Sequence, residues 1–207
     1  MQQQVTTARR HAAAERAKYE TVWKMPEYRV KSHSLKLYTD HPDLFPAGFA
    51  TALDIGCGLG RLFAHLNETG VDCWAVDIAD NCLEPAIAAR WGHKFMLSPL
   101  WDMDWTDAPA LQGAPKMFDL GVCTDVMEHI PPDMVGDVLA RIAACCRVVM
   151  FKIANFPSRS LGHDLHLTMQ GPDWWAMRLA EAGGTVERLN IPADRPDYYF
   201  KWTNGAP

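Results

Sequence analysis

The stretch TALDIGCGLGR, residues 51–61, runs from apolar residues through one acid into three glycines at alternate positions, Gly56, Gly58 and Gly60. A short apolar run that ends in glycine reads as a buried strand. Glycines at such a turn allow positive φ and let another group lie directly on the backbone amides. GRLFAHLNETG, residues 60–70, has helical composition and is closed by Gly70. A strand, a glycine turn and a helix in this order place a binding site at the carboxyl end of a parallel sheet.

The alternation continues outward. DCWAVDI (72–78), HKFML (93–97), FDLGVCTD (118–125) and RVVMFKIAN (147–155) read as strands. NCLEPAIAARWG (81–92) and PPDMVGDVLARIAACC (131–146) read as helices, the second with its prolines in the first turn. Strands alternating with helices predict a parallel sheet covered on both faces. GPDWWAMRLAEAGG (171–184) is the last expected helix. TVERLNI (185–191) and YYFKWT (198–203) follow with no helix between them, so they pair as an antiparallel hairpin and one strand is reversed near an edge. Upstream, residues 6–23 read as a helix that cannot continue through Pro26.

The chain of 207 residues suits one structural domain. Its apolar and charged fractions, 48% and 22%, are those of an ordinary soluble globular protein. A formal charge of −5 argues against a protein that coats nucleic acid. The first segment is nevertheless basic, with Arg9, Arg10, Arg16, Lys18, Lys24, Arg29, Lys31 and Lys36. It reads as a solvated helix face, with an anionic partner as the alternative. With no signal-peptide pattern and no run fit to span a bilayer, the expected location is cytoplasmic, without membrane contact. The six cysteines contain no CxxC pair and read as free thiols. Cys145 and Cys146 with HDLH (163–166) match no zinc spacing, so no metal is expected.

The loop itself narrows the ligand. The dinucleotide fingerprint is G-x-G-x-x-G, whereas this chain has G-x-G-x-G followed by Arg61, and no P-loop lysine is present. Asp77 ends the second strand, where a carboxylate can accept both hydroxyls of a ribose. Asp54 puts a negative charge beside the loop, which repels a pyrophosphate and suits a cationic ligand. A nucleoside that carries cations in place of phosphates is S-adenosylmethionine (SAM).

At these residues the chain resembles class I SAM-dependent methyltransferases. LDIGCGLGR (53–61) is similar to their first motif, WAVDIAD (74–80) to their second, and FDLGVCTDVMEHIP (118–131) to the segment around their fourth strand. The likeness covers roughly residues 48–155. HLTMQGPDWW (166–175) matches more loosely, and the N-terminus matches only as a variable cap. The resemblance implies an α/β fold with a doubly wound, seven-stranded, mostly parallel sheet that contains one antiparallel strand. It also implies an N-terminal helical cap over 1–45 and a Rossmann-like catalytic domain over 46–207, forming one structural domain, with SAM as cofactor and S-adenosylhomocysteine (SAH) as product.

Carried over by position, the resemblance puts Gly56, Cys57 and Gly58 along the methionine part of SAM and Asp54 near its ammonium. Asp77 would take the ribose hydroxyls and Ile78 would pack on the adenine. Leu100, Trp101 and Asp102 would complete the adenine site, with Asp104 as the alternative acid. Thr124, Asp125 and Met127 would face the methyl group. His129 reads either as a general base or as a residue that fixes its turn. His163 and His166 are the candidate substrate contacts. Tyr19, Trp23, Tyr28 and Arg29 read either as a lid or as packing for the cap. The expected reaction is in-line transfer of the SAM methyl group to an oxygen or nitrogen of a small molecule or nucleotide. A nucleic-acid or protein methyltransferase is the alternative, as is a non-catalytic SAM- or SAH-binding protein. CTDV (123–126) lacks the Asn/Asp-Pro-Pro-aromatic turn of DNA amino-methylases, which disfavours a flipped base.

Overall fold

The computed structural model describes residues 2–30, 32–103, 113–192 and 195–205. Five parallel strands follow the expected segments: β1 (Thr51–Ile55), β2 (Asp72–Asp77), β3 (Phe95–Leu97), β4 (Phe118–Thr124) and β5 (Cys146–Ala154). A two-stranded hairpin, β6 (Arg159–Ser160) and β7 (His163–Asp164), stands apart from the main sheet. The last two strands, β8 (Gly184–Leu189) and β9 (Asp197–Asn204), complete a seven-stranded sheet in the order β3-β2-β1-β4-β5-β9-β8. β9 is antiparallel to both β5 and β8, so it is the reversed strand, one place in from the edge. The strand order turns back between β1 and β4, which opens a crevice at their carboxyl ends.

The two faces of the sheet carry separate cores. Leu53, Ile55, Trp74 and Val76 point to the face covered by α5 (Val135–Cys145) and α6 (Pro172–Glu181), where they meet Val138, Leu139, Ile142, Trp175 and Leu179. Ala52, Cys73 and Ala75 alternate to the other face, where α2 (His33–Asp40) and α3 (Arg61–Glu68) bring Leu37, Leu62, Phe63 and Leu66. Period-two alternation in the strands is what lets each strand serve both cores.

Several boundaries depart from the sequence reading. The helix expected over 81–92 is α4 (Pro85–Trp91), because Pro85 takes the first helical position and the residues before it form a loop. Pro131 and Pro132 do not open α5. They lie in a turn where Met134 N–H donates to the Pro131 carbonyl at 2.9 Å, and the helix begins at Val135. Helix α2 was not expected, and its eight residues bury only Ser34 and Leu37, too weak a stripe to read.

Helix α1 (Gln2–Val22) and the 3-10 turn Pro26–Val30 form the cap. Two of its arginines are not spread on a solvated face. Arg16 Nε donates to the Ile78 carbonyl at 3.2 Å, and Arg29 donates to the carbonyls of Asn81 at 2.9 Å and Leu83 at 3.1 Å. Asn81 returns a bond to the Glu20 carbonyl at 2.8 Å. The cap is thus tied to the loop that follows β2.

Gly121 lies in the central strand β4, and a Cβ there would sit 3.0 Å from Cys146 Sγ, 3.2 Å from Val149 Cγ2 and 3.3 Å from Ile55 Cδ1. Overpacking a dense core costs about 1–3 kcal/mol. Gly121→Ala is therefore expected to lower the unfolding free energy by that amount, read in urea as a lower midpoint with the m-value unchanged.

Candidate active site

A cavity of about 1050 Å³ opens where the parallel strands end. Its wall includes Gly56, Cys57 and Gly58 after β1, Asp77 and Ile78 at the end of β2, Ser98 after β3, and Thr124 and Asp125 at the end of β4. This volume is at the upper end for a single-ligand site and leaves room for two ligands side by side.

The glycine loop is stitched to β2. Gly56 N–H and Cys57 N–H both donate to the Val76 carbonyl, at 2.8 and 3.1 Å. Gly58 N–H donates to Asp77 Oδ2 at 3.0 Å, and Ala79 N–H donates to Asp77 Oδ1 at 3.1 Å. Burial raises the Asp77 pKa, and these two N–H bonds pull the other way. Gly56 and Gly58 have φ of +66° and +51°. A Cβ on Gly56 would lie 2.3 Å from Val126 Cγ2, and one on Gly58 would lie 2.9 Å from the Trp23 ring. Both glycines are therefore required by backbone conformation and by close approach together.

Behind the loop, Asp54 does not line the cavity. It is buried beneath the start of α3, where its Oδ2 accepts Phe63 N–H at 3.2 Å and caps a helix whose N-cap, Gly60, has no side chain. Its Oδ1 is buried without a hydrogen-bond partner among the described residues. Burial outweighs the single N–H bond and pushes its pKa up to about 8.

Across the crevice, Asp125 has φ of +54° and sits in an ionic cluster. Lys152 Nζ donates to Asp125 Oδ1 at 2.5 Å and pairs with Asp197 Oδ2 at 3.1 Å. Burial alone would lower the Lys152 pKa, but the two carboxylates outweigh it and hold the ammonium above its ordinary value. His33 Nδ1 lies 3.5 Å from Asp125 Oδ2. Lys152, Asp197, His33, Tyr199, Phe156 and Val126 all face the cavity and went unread in the sequence. Only Lys152 left a signal there, as one lysine inside the apolar run VVMFKIA, residues 148–154.

His129 Nδ1 lies 2.8 Å from the Tyr19 hydroxyl and 2.9 Å from the Leu165 carbonyl. Burial pushes its pKa down to about 3, so the ring is neutral at physiological pH. His166 packs edge-on against it, with ring centroids 4.8 Å apart. Glu128 is fully buried. Burial first, and Asp125 second, raise its pKa well above the usual carboxylate range.

Of the residues expected at the site, the cavity brings together Gly56, Cys57, Gly58, Asp77, Ile78, Leu100, Trp101, Thr124, Asp125, His129 and His166. Tyr19, Trp23 and Tyr28 join them from the cap. Four positions fall elsewhere. Asp54 is beneath the loop, as above. Asp102 ends a 3-10 turn, Leu100–Asp102, whose three residues point three ways; Leu100 and Trp101 turn inward and Asp102 outward. Met127 is fully buried in the core shared with α5 and α6. His163 lies in β7, exposed to solvent and off this cavity. Asp104 lies outside the described residues.

Comparison with known proteins fits this geometry. A family model described as a methyltransferase domain matches residues 29–190, and the chain belongs to that family. Among curated sequences it is similar to the ubiquinone biosynthesis O-methyltransferase of Methylococcus capsulatus, 29% identical over 97 residues, covering 47% of this chain and 38% of that protein. The enzyme of the same name from Thiobacillus denitrificans is 28% identical over 105 residues, covering 50% and 41%. The chain thus spans about two fifths of the length of these relatives. Among solved structures it is similar to the 1,6-didemethyltoxoflavin-N1-methyltransferase of Burkholderia thailandensis, which holds 1,6-didemethyltoxoflavin and S-adenosylhomocysteine. That likeness has a TM-score of 0.59 at 22% identity and covers 98% of this chain and 89% of the other. The SAM-bound magnesium protoporphyrin IX methyltransferase of Synechocystis PCC 6803 has a TM-score of 0.58 at 17% identity, covering 84% and 80%. At these identities the structural likeness concerns the fold. No described helix is long and apolar enough to cross a membrane.

The raised Asp54 pKa has a signed consequence. The stability associated with its protonated form is complete below the unfolded value near 4 and is lost as pH rises through about 8. Asp54→Asn removes that loss. In thermal melts of the ligand-free protein, the variant's Tm minus the wild-type Tm is expected to grow more positive from pH 5 to pH 8.5. A constant offset would contradict the assignment.

Proposed function

We propose that this chain is a SAM-dependent methyltransferase acting on an oxygen or nitrogen of a small molecule. What carries the reading is one juxtaposition. A glycine loop whose amides cannot be covered by side chains meets a buried carboxylate, Asp77, at the end of the neighbouring strand. The donor set fits a nucleoside with a cationic chain. Asp77 and Asp125 both line the cavity, and Ile78, Leu100 and Trp101 supply an apolar wall for an adenine.

Gly56, Cys57 and Gly58 would hold the methionine part, Asp77 the ribose, and Ile78 with Leu100 and Trp101 the base. Once bound, SAM supplies a methyl group already activated by its sulfonium. The chain's own task is to hold an acceptor in line with that methyl group and to exclude water. Tyr19, Trp23 and Tyr28 close the cavity from the cap, held down by the Arg16, Arg29 and Asn81 bonds to the β2 loop. Orientation of this kind accounts for about 7–11 kcal/mol in well-aligned intramolecular reactions. The acceptor would enter beside Phe156, His166 and Tyr199, next to the Lys152–Asp125–Asp197 cluster. The formal charge of −5 favours a small acceptor over a nucleic-acid strand.

Titration calorimetry with SAM, SAH and NAD tests the cofactor. SAM and SAH are expected to bind and NAD is not; the reverse order would overturn the reading. Asp77→Ala removes a charged acceptor worth about 1.5–3 kcal/mol, so SAH affinity is expected to fall about tenfold to a hundredfold. Isotope-labelled SAM offered with fractionated metabolites, nucleic acid and protein should transfer its label to the metabolite fraction.

A further inference from the structure

Glu128, His129 and His166 each offer one possible ligand atom, and the three atoms lie within 4.8 Å of one another. Glu128 and His129 belong to the 3-10 turn after β4, and His166 to the segment after β7. Ligands drawn from two such segments leave no metal-type spacing in the sequence.

The hydrogens decide what the trio can do. His129 Nδ1 is 2.9 Å from the Leu165 carbonyl, and His166 Nδ1 is 2.6 Å from the Phe156 carbonyl. A carbonyl can only accept, so a hydrogen on each Nδ1 satisfies both contacts, with the Tyr19 hydroxyl 2.8 Å from His129 Nδ1 as a second acceptor, and in that tautomer Nε2 of each neutral ring keeps its lone pair. Glu128 Oε1 accepts Ala154 N–H at 3.1 Å, while its Oε2 is buried with no partner among the described residues. With the Glu128 carboxyl ionised, the three side chains therefore offer three electron-pair donors to one ion. The nearby ammonium of Lys152 is already taken by Asp125 and Asp197.

We propose that Glu128, His129 and His166 form a binding site for one divalent transition-metal ion. Two imidazoles and one carboxylate suit zinc, manganese, iron or cobalt better than magnesium or calcium, which prefer all-oxygen shells. Both histidines are oriented through their other nitrogen by a backbone carbonyl, the usual arrangement for a metal-ligating imidazole. Metal bonds of about 2.0–2.2 Å draw the three donors closer together. His129 and His166 line the cavity, so the ion's open positions face it. Those positions take water or an oxygen of the acceptor, which points to a hydroxyl or phenol as the acceptor class. The metal site stands on its own geometry; only its contact with the acceptor rests on the methyltransferase reading.

The test uses the full chain, stripped of metal with a chelator and titrated with Co²⁺. One Co²⁺ per chain is expected, with visible d–d absorption that Zn²⁺ displaces. His166→Ala and Glu128→Gln should each weaken Co²⁺ binding by more than about tenfold, the smaller loss typical of altering a metal's outer shell. SAH binding should persist in both, which shows that they fold. His163→Ala, off the cavity, should bind Co²⁺ as the wild type does. Absence of stoichiometric Co²⁺ and Zn²⁺ binding by the folded wild type would overturn the proposal, as would undiminished binding by His166→Ala. Wild-type protein that binds Co²⁺ but not SAH would instead remove the methyltransferase reading and leave the metal site standing.

Discussion

The structure depends on how the glycine loop is fastened to the end of β2. The Val76 carbonyl and the Asp77 carboxylate take the N–H groups of Gly56, Cys57 and Gly58 in turn. A loop held from behind in this way can be crowded from in front, and it is, by Val126 from the turn after β4 and by Trp23 from the cap. Because no Cβ intervenes, four segments far apart in the chain meet at one backbone turn. The cavity is the space left among them.

That arrangement concentrates acid where solvent is scarce. Asp54, Asp77 and Glu128 are all buried, and burial raises each pKa. They are tolerated for different reasons. Asp54 caps a helix start, Asp77 ties two loops, and Glu128 receives the Ala154 amide. Asp125 and Asp197, by contrast, are answered by a buried cation, Lys152. A positively charged guest, whether a sulfonium, an ammonium or a metal ion, would favour the ionised form of the acids it meets there.

The cap explains the uneven charge of the chain. Arg16 and Arg29 spend their donors on backbone carbonyls of the β2 loop, where the peptide oxygens would otherwise face solvent or the cavity rim. The basic N-terminal segment thus works in part as a clamp. It brings Tyr19 onto His129 and Trp23 onto Gly58, which joins the cap to both halves of the cavity.

The sequence by itself determined the layered α/β sheet, the reversed strand and the near wall of the site. Each is written in local terms: period-two apolar runs, glycine at positive φ, and an acid at a strand end. Gly56, Gly58 and Asp77 were legible for that reason. Asp54 was legible as an acid but not as a buried helix cap, because the direction of a side chain from a strand depends on which helix covers that face. His163 and His166 looked equivalent in HDLH, and a two-residue hairpin sent one to solvent and the other into the cavity. Lys152, Asp197, His33 and Tyr199 come from elements that meet only when β9 reverses beside β5 and the cap folds over. Tertiary structure alone decided them, because a site assembled across long sequence separations leaves no local spacing to read.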